Sequence, residues 1–192
     1  MKESTSELRK QIKKCLDKDR YRHTMGVAHT AACLAMRYGE DIEKAFIAGL
    51  LHDCAKCIGN EEKYEMCEKY GIELTEAEKN IPSLVHAKLG AYLAEKKYGI
   101  EDEDIINSVR THTTGEPGMS LLQKIIFTAD YIEPGRCEAP DLADVRKLAF
   151  TDIDMAICRI LRDTLDYLKE KGGKVDPKTR ETFEFYSGIS KK

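Results

Sequence analysis

Proline is scarce in this chain, 5 of 192 residues, and no low-complexity linker divides it. No run of roughly 18 uninterrupted apolar residues occurs, so no segment reads as a membrane-spanning helix. The opening stretch, MKESTSELRKQIKK, is polar and has no apolar core of signal-peptide length, so a cytoplasmic protein is expected. An excess of charge of one sign is also missing. Charged residues make up 34% of the chain, yet the formal net charge is −3. Without a broad cationic surface, neither nucleic acid nor a membrane is an expected partner. The seven cysteines (Cys15, Cys33, Cys54, Cys57, Cys67, Cys137, Cys158) are odd in number and follow no framework spacing, which points to reduced thiols. Cys54 and Cys57 form a lone CxxC with no second pair, no histidine at finger spacing and no βαβ context, so they read as two small helix-end residues.

What is present is a helical pattern. Apolar residues make up 42% of the chain and recur at three and four almost throughout, which predicts an all-α fold. The spacing predicts helices over about 4–16, 19–38, 41–56, 61–70, 82–98, 103–113, 120–132, 142–150, 152–171 and 177–186. Gly39, Gly71, Gly99 and Gly172 stand where C-caps belong, and Pro82 and Pro177 where first-turn prolines belong. The length suits one compact helical domain. Residues 1–135 are expected to form the metal-binding core and 136–192 a C-terminal helical extension packed on it. The stripe Ile153, Ile157, Ile160, Leu161, Leu165, Leu168 makes a homodimer reasonable.

Four of the five histidines and two aspartates share one property: His23, His52, Asp53, His86, His112 and Asp130 each sit on a segment that reads as a helix. His112 continues the row Ile105, Val109 at helical spacing, and Asp130 continues Leu122, Ile126. His86 shares a face with Leu89, Gly90 and Leu93, His52 with Ala45, Ala48 and Gly49, and His23 lies over Val27 and Thr30. A single inward histidine is more often a hydrogen-bonded core residue than a ligand. Six such residues, two of them carboxylates that are costly to bury without a cation, favour metal. His29 stands about 120° around the helix from His23, so it is left out of the ligand set as a surface or substrate-side residue. Six ligands exceed what one open catalytic ion takes from protein. The division expected is His23, His52, Asp53 and Asp130 around one ion and Asp53, His86 and His112 around the other, with Asp53 bridging. Mixed imidazole and carboxylate ligation suits iron, manganese, cobalt, nickel or zinc rather than magnesium.

The doublet within AGLLHDCAK, together with His23 and with Asp130 in FTADYIEPGR, resembles the HD-domain metal-dependent phosphohydrolase superfamily, and His86 and His112 match the extra ligands of its dinuclear branch. More narrowly, RYRHTMGV (20–27), LLHDCAK (50–56), IPSLVHAKLGA (81–91), RTHTTG (110–115), MSLLQKIIFTADYIEPGR (119–136) and RKLA (146–149) resemble the bacterial YqeK family, over roughly residues 5 to 187. The resemblance implies symmetrical hydrolysis of diadenosine tetraphosphate to two ADP at a centre of two divalent or mixed-valent ions, iron first. Where His29 stands, that family as often has an acidic residue.

Such a reaction would use a hydroxide bridging the ions, and ADP leaves without a strong general acid. Asp53 and Lys56 are the residues expected to act in catalysis. Lys56, one turn after His52, is also the first candidate for a phosphate contact, followed by Arg20, one turn before His23, and Arg136, just after the Asp130 helix. Thr113, with Thr114 and Gly115, is expected to line the pocket, and Ser83 is either a helix cap or a substrate contact. Competing readings are a nucleotidase or phosphodiesterase on the same scaffold, a nucleotide-binding sensor and a di-iron oxygenase. The HD-GYP type of phosphodiesterase is disfavoured because its Gly-Tyr-Pro element is absent after the doublet.

Overall fold

The computed structural model describes residues 4–137 and 139–189. Over these the chain forms eleven α-helices and no strand: α1 (Thr5–Cys15), α2 (Lys18–Tyr38), α3 (Ile42–Leu51), α4 (Asn60–Lys69), α5 (Glu76–Asn80), α6 (Val85–Lys96), α7 (Glu103–Thr111), α8 (Leu121–Ile132), α9 (Leu142–Ala149), α10 (Ile153–Glu170) and α11 (Pro177–Ile189). The all-α expectation holds. Helix starts follow local chemistry: Ser4, Asp17, Asp41 and Asp152 each accept a backbone N–H of the turn that follows, at about 1 kcal/mol apiece. Ser120 and Gln123 close a reciprocal capping box at the head of α8.

One helix and two boundaries stand out against the sequence pattern. Helix α5 was not expected; its five residues are too few to show an apolar period, and the Thr75–Glu78 capping box starts it instead. Helix α3 stops at Leu51 rather than near Lys56. Beyond it the chain tightens into short-range turns, with Cys54 N–H on Leu51 O at 3.0 Å and Lys56 N–H on Asp53 O at 2.9 Å. Helix α6 begins at Val85, after a similar turn in which Leu84 N–H reaches Ile81 O at 2.9 Å.

The centre of the molecule is the crossing of α2 with α3, with α8 on another side of α2 and α7 set among α3, α6 and α8. Gly49 permits the first of these contacts. A Cβ there would lie 2.7 Å from the Cα of Ala28, a distance no side chain could occupy. That close approach brings His23, on α2, beside His52 at the end of α3. Helix α10 buries Ile153, Ile157, Ile160 and Leu161 in packing that involves α8, α9 and α11. These four side chains contribute roughly 1.5–3 kcal/mol each. Four of the six stripe residues are thus taken up by the chain's own core, while Leu165 and Leu168 stay half-buried. No helix among the described residues is long and apolar enough to cross a membrane.

Candidate metal centre

Each histidine of the series is held by its Nδ1. That atom lies 2.7 Å from Gly49 O in His52, 2.6 Å from Ser83 O in His86 and 2.7 Å from Val109 O in His112. A carbonyl only accepts, so Nδ1 carries the proton and donates in all three rings. His52 and His112 are the C-caps of α3 and α7. Their acceptors belong to last-turn carbonyls, which a helix end leaves without an intrahelical donor. His23 Nδ1 donates to a carboxylate, Glu133 Oε1, at 3.1 Å. Ser83 caps no helix with its side chain, since the N-cap of α6 is Leu84; its carbonyl is what orients His86.

With Nδ1 anchored, Nε2 of each ring is turned to a common centre, where a neutral ring offers its lone pair. The four rings pack edge to face in the order His23, His52, His112, His86, with centroids 5.4, 5.1 and 5.0 Å apart. Nε2 of His86 and Nε2 of His112 face each other at 3.1 Å, and two neutral rings with Nδ1 donating would meet there acceptor to acceptor. Nε2 of His23 and of His52 are buried without a hydrogen-bond partner among the described residues. Buried lone pairs pointed at one another are costly unless a cation lies among them.

Asp53 stands in the middle with its two oxygens turned to different histidines. Oδ1 lies 3.1 Å from His86 Nε2 and 3.6 Å from His112 Nε2. Oδ2 lies 3.4 Å from His52 Nε2 and 3.9 Å from His23 Nε2. Asp130 Oδ1 approaches His23 Nε2 at 3.0 Å and His52 Nε2 at 4.0 Å. Two groups able to hold an ion result, His23–His52–Asp130 and Asp53–His86–His112, each with donor atoms within 4.8 Å of one another. The donor set fits transition-metal ions, and the grouping differs from the division expected from sequence in placing Asp53 with His86 and His112 alone.

The local charges follow from the packing. Burial alone would raise the Asp53 carboxyl, but His52, His112 and His86 hold it well below the usual carboxylate range. Asp130 is likewise held far down against burial, by His23, His52 and Arg136. Burial pulls His52 down, yet the Asp53 and Asp130 carboxylates outweigh it and its net shift is upward. Burial pushes His86 down to about 4, with His112 and Lys56 adding to the effect.

The expected cations occupy the rim. Arg20 donates to Asp53 Oδ2 at 2.8 Å, Arg136 to Asp130 Oδ1 at 3.0 Å and Lys56 Nζ to His86 Nε2 at 3.3 Å. Burial lowers Lys56. Arg20, Arg22 and Arg136 line a cleft of about 770 Å³ together with His23 and the carboxylates of Asp17, Asp19 and Glu133. Thr113 lies elsewhere, in a recess of about 190 Å³ shared with Lys88 and Lys178.

Two residues of the site escaped the sequence pattern. Glu133 lies just past α8 and is buried; no periodicity assigns it a face. Gly26 gave the available signal, a glycine inside a 21-residue helix where alanine is ordinarily better. Its missing side chain makes room for Glu133, whose Oε2 would lie 2.4 Å from a Cβ. His29 is exposed and packs its ring edge-on to Phe46, with centroids 5.3 Å apart, away from both ligand groups. The thiols of Cys54 and Cys57 diverge: Cys54 is buried, pushed up by that burial to about 12, and donates to Gly90 O, whereas Cys57 is exposed and reaches Asp17.

An all-helical body carrying paired His/Asp groups defines a protein with a candidate dinuclear metal site. Residues 20–135 match the HD domain family. A symmetrical bis(5'-nucleosyl)-tetraphosphatase of Bacillus subtilis is 42% identical, over 91% of this chain and 92% of that protein. The protein of the same description in Staphylococcus aureus is 35% identical, over 91% and 90%. A crystal structure of a predicted HD superfamily hydrolase involved in NAD metabolism from Clostridium acetobutylicum superposes with a TM-score of 0.93 at 42% identity, covering 99% of both chains. The chain belongs to the HD domain family, in agreement with the motifs.

Proposed function

We propose that this protein hydrolyses diadenosine tetraphosphate symmetrically to two ADP, with two transition-metal ions held by His23, His52 and Asp130 on one side, His86 and His112 on the other, and Asp53 between them. The observation that carries the reading is Asp53, whose two oxygens face different pairs of imidazole lone pairs. The relatives' activity and the arginine-lined cleft support the choice of substrate. Ions bound there would supply an activated water nucleophile at neutral pH and take up charge on the phosphoryl oxygens. Iron is the first choice among metals that suit this donor set.

The protein's own groups do the rest. Backbone carbonyls and Glu133 fix the imidazole tautomers, so the donor atoms need no reorganisation. Arg20 and Arg136, now paired with Asp53 and Asp130, become available to phosphate oxygens once those carboxylates bind cations. Lys56 adds a third cation beside His86. ADP is a weakly basic leaving group, so no additional acid is required.

The test is to offer the metal-loaded protein diadenosine tetraphosphate, mononucleotides and cyclic nucleotides and to resolve the products by chromatography. ADP as the sole product of the tetraphosphate is expected. AMP with ATP would mean asymmetric cleavage and overturn the reading. Tight nucleotide binding without turnover would make the protein a sensor. Turnover of mononucleotides or cyclic nucleotides alone would make it a nucleotidase or phosphodiesterase.

A further inference from the structure

Helix α2 carries Met25, His29 and Cys33 at successive turns, Met25 half-buried against the core and His29 and Cys33 exposed. Opposite it stand Ile132 at the end of α8, Pro134 in the following turn and Phe150 at the C-cap of α9, and between the two walls lies a second cavity of about 640 Å³. It differs in kind from the arginine-lined cleft. Most of its walls are apolar, and Phe150 remains 38% exposed. The two cations on its border are already engaged. Arg146 donates to the carbonyls of Ile132, Glu133 and Arg136 at 2.9, 2.9 and 3.0 Å, and Lys147 pairs with Asp144 at 3.1 Å.

The two cavities adjoin. Gly26 and Pro134 line both, with the Glu133 side chain seated against Gly26 on the side of the arginine-lined cleft. A ligand with phosphates among Arg20, Arg22 and Arg136 therefore has an apolar chamber beside it, of a volume usual for small-molecule sites. A free inorganic phosphate or an acidic peptide would have little use for such walls. A planar base would: Phe150 and Met25 suit its face, and His29 and Thr30 offer polar atoms to its edge.

We propose that this second cavity is a nucleoside subsite, taking the base of a nucleotide whose phosphates occupy the arginine-lined cleft. The proposal rests on the nucleotide reading given above. It assigns one base, and a symmetrical substrate carries a second. It also gives His29 a place on the substrate side, outside the metal ligands.

The test compares the binding of ADP and of inorganic tripolyphosphate to the metal-loaded protein by calorimetry. Cys33→Trp fills the cavity from an exposed position on α2, and Phe150→Ala removes the opposite wall. Either substitution is expected to weaken ADP on the order of tenfold, while tripolyphosphate changes less than about twofold. Met36→Ala, on the same helix but outside the cavity, serves as the control and should alter neither. Equal losses for both ligands, or none for ADP, would overturn the proposal. So would a wild-type dimer that Cys33→Trp dissociates without changing ADP binding, which would assign the cavity to a second copy of the chain. If the wild type yields no ADP from diadenosine tetraphosphate yet binds ADP in a Cys33-sensitive way, the hydrolase reading falls and the subsite stands.

Discussion

His23 donates its Nδ1–H to Glu133 at 3.1 Å, whereas the other three imidazoles of the centre donate to backbone carbonyls. A carboxylate partner holds the His23 ring by a charge-assisted hydrogen bond, where the other three rings are held by neutral carbonyls. Glu133 is fixed in turn by the Gly135 N–H at 2.6 Å and seated in the space Gly26 leaves. The arrangement makes the two halves of the centre unequal.

Glu133→Gln keeps a hydrogen-bond acceptor and removes the charge. The affinity for one of the two ions is expected to fall about 10- to 100-fold, with the fold retained and the second ion little affected. Titration against a competing chelator, with circular dichroism as a check on folding, measures this. Equal affinities in variant and wild type would reduce Glu133 to a turn-forming residue.

Gly49→Ala should destabilise the protein, against the usual sign. Within a helix, alanine ordinarily gains about 1 kcal/mol over glycine. Here the added Cβ would lie 2.7 Å from the Cα of Ala28, backbone that no rotamer change can move aside. Overpacking of this kind costs roughly 1–3 kcal/mol, or a melting point lower by several degrees. Because the clash parts α2 from α3, His23 is carried away from His52 and metal retention should fall with stability. Thermal denaturation of the metal-free protein checks the first effect and elemental analysis the second. A raised melting point would show that the crossing has room.

Asp53→Asn tests the shared ligand. One carboxylate oxygen becomes an amide nitrogen, which cannot bind a cation, and the formal charge that offsets two ions disappears. Elemental analysis is expected to show loss of both ions and chromatography no ADP. Retention of two ions with normal turnover would remove Asp53 from the bridging position.

The helices and their inward faces were legible in sequence because apolar period and caps are local properties. Rows such as Leu122, Ile126, Asp130 therefore point at the centre. Less visible was what depends on the end of a helix. His52 and Asp53 were read on one continuing helix, but α3 stops at Leu51 and tight turns carry Asp53 between the two histidine pairs. Glu133 belongs to no periodic face, and its role appears only when α8 is laid against α2. Thr113, expected to line the pocket, borders the recess shared with Lys88 and Lys178. Sequence neighbourhood predicts direction well inside a helix and poorly just beyond its end.

Metal uptake should depend on pH, unequally in the two halves. In the metal-free protein His52 holds its proton above the ordinary imidazole value of 6.5. Burial opposes this, but Asp53 and Asp130 outweigh burial. An ion needs the Nε2 lone pair, so it must displace that proton. His86 has been pushed down to about 4 by burial and is already neutral near pH 7. Acidification from about pH 8 to pH 6 should therefore weaken the ion of the His23–His52–Asp130 group first. The stability sign agrees. A raised folded-state pKa for His52 contributes stability that is present below 6.5 and is lost as pH rises through the folded value. From His52, the metal-free protein should lose stability over that rise, while the metal-loaded protein, whose His52 carries no proton to lose, should not. Calorimetric metal titrations in two buffers of different ionisation enthalpy read the released proton directly. Metal binding that releases no proton and keeps the same affinity at pH 6 and pH 8 would contradict this account of His52.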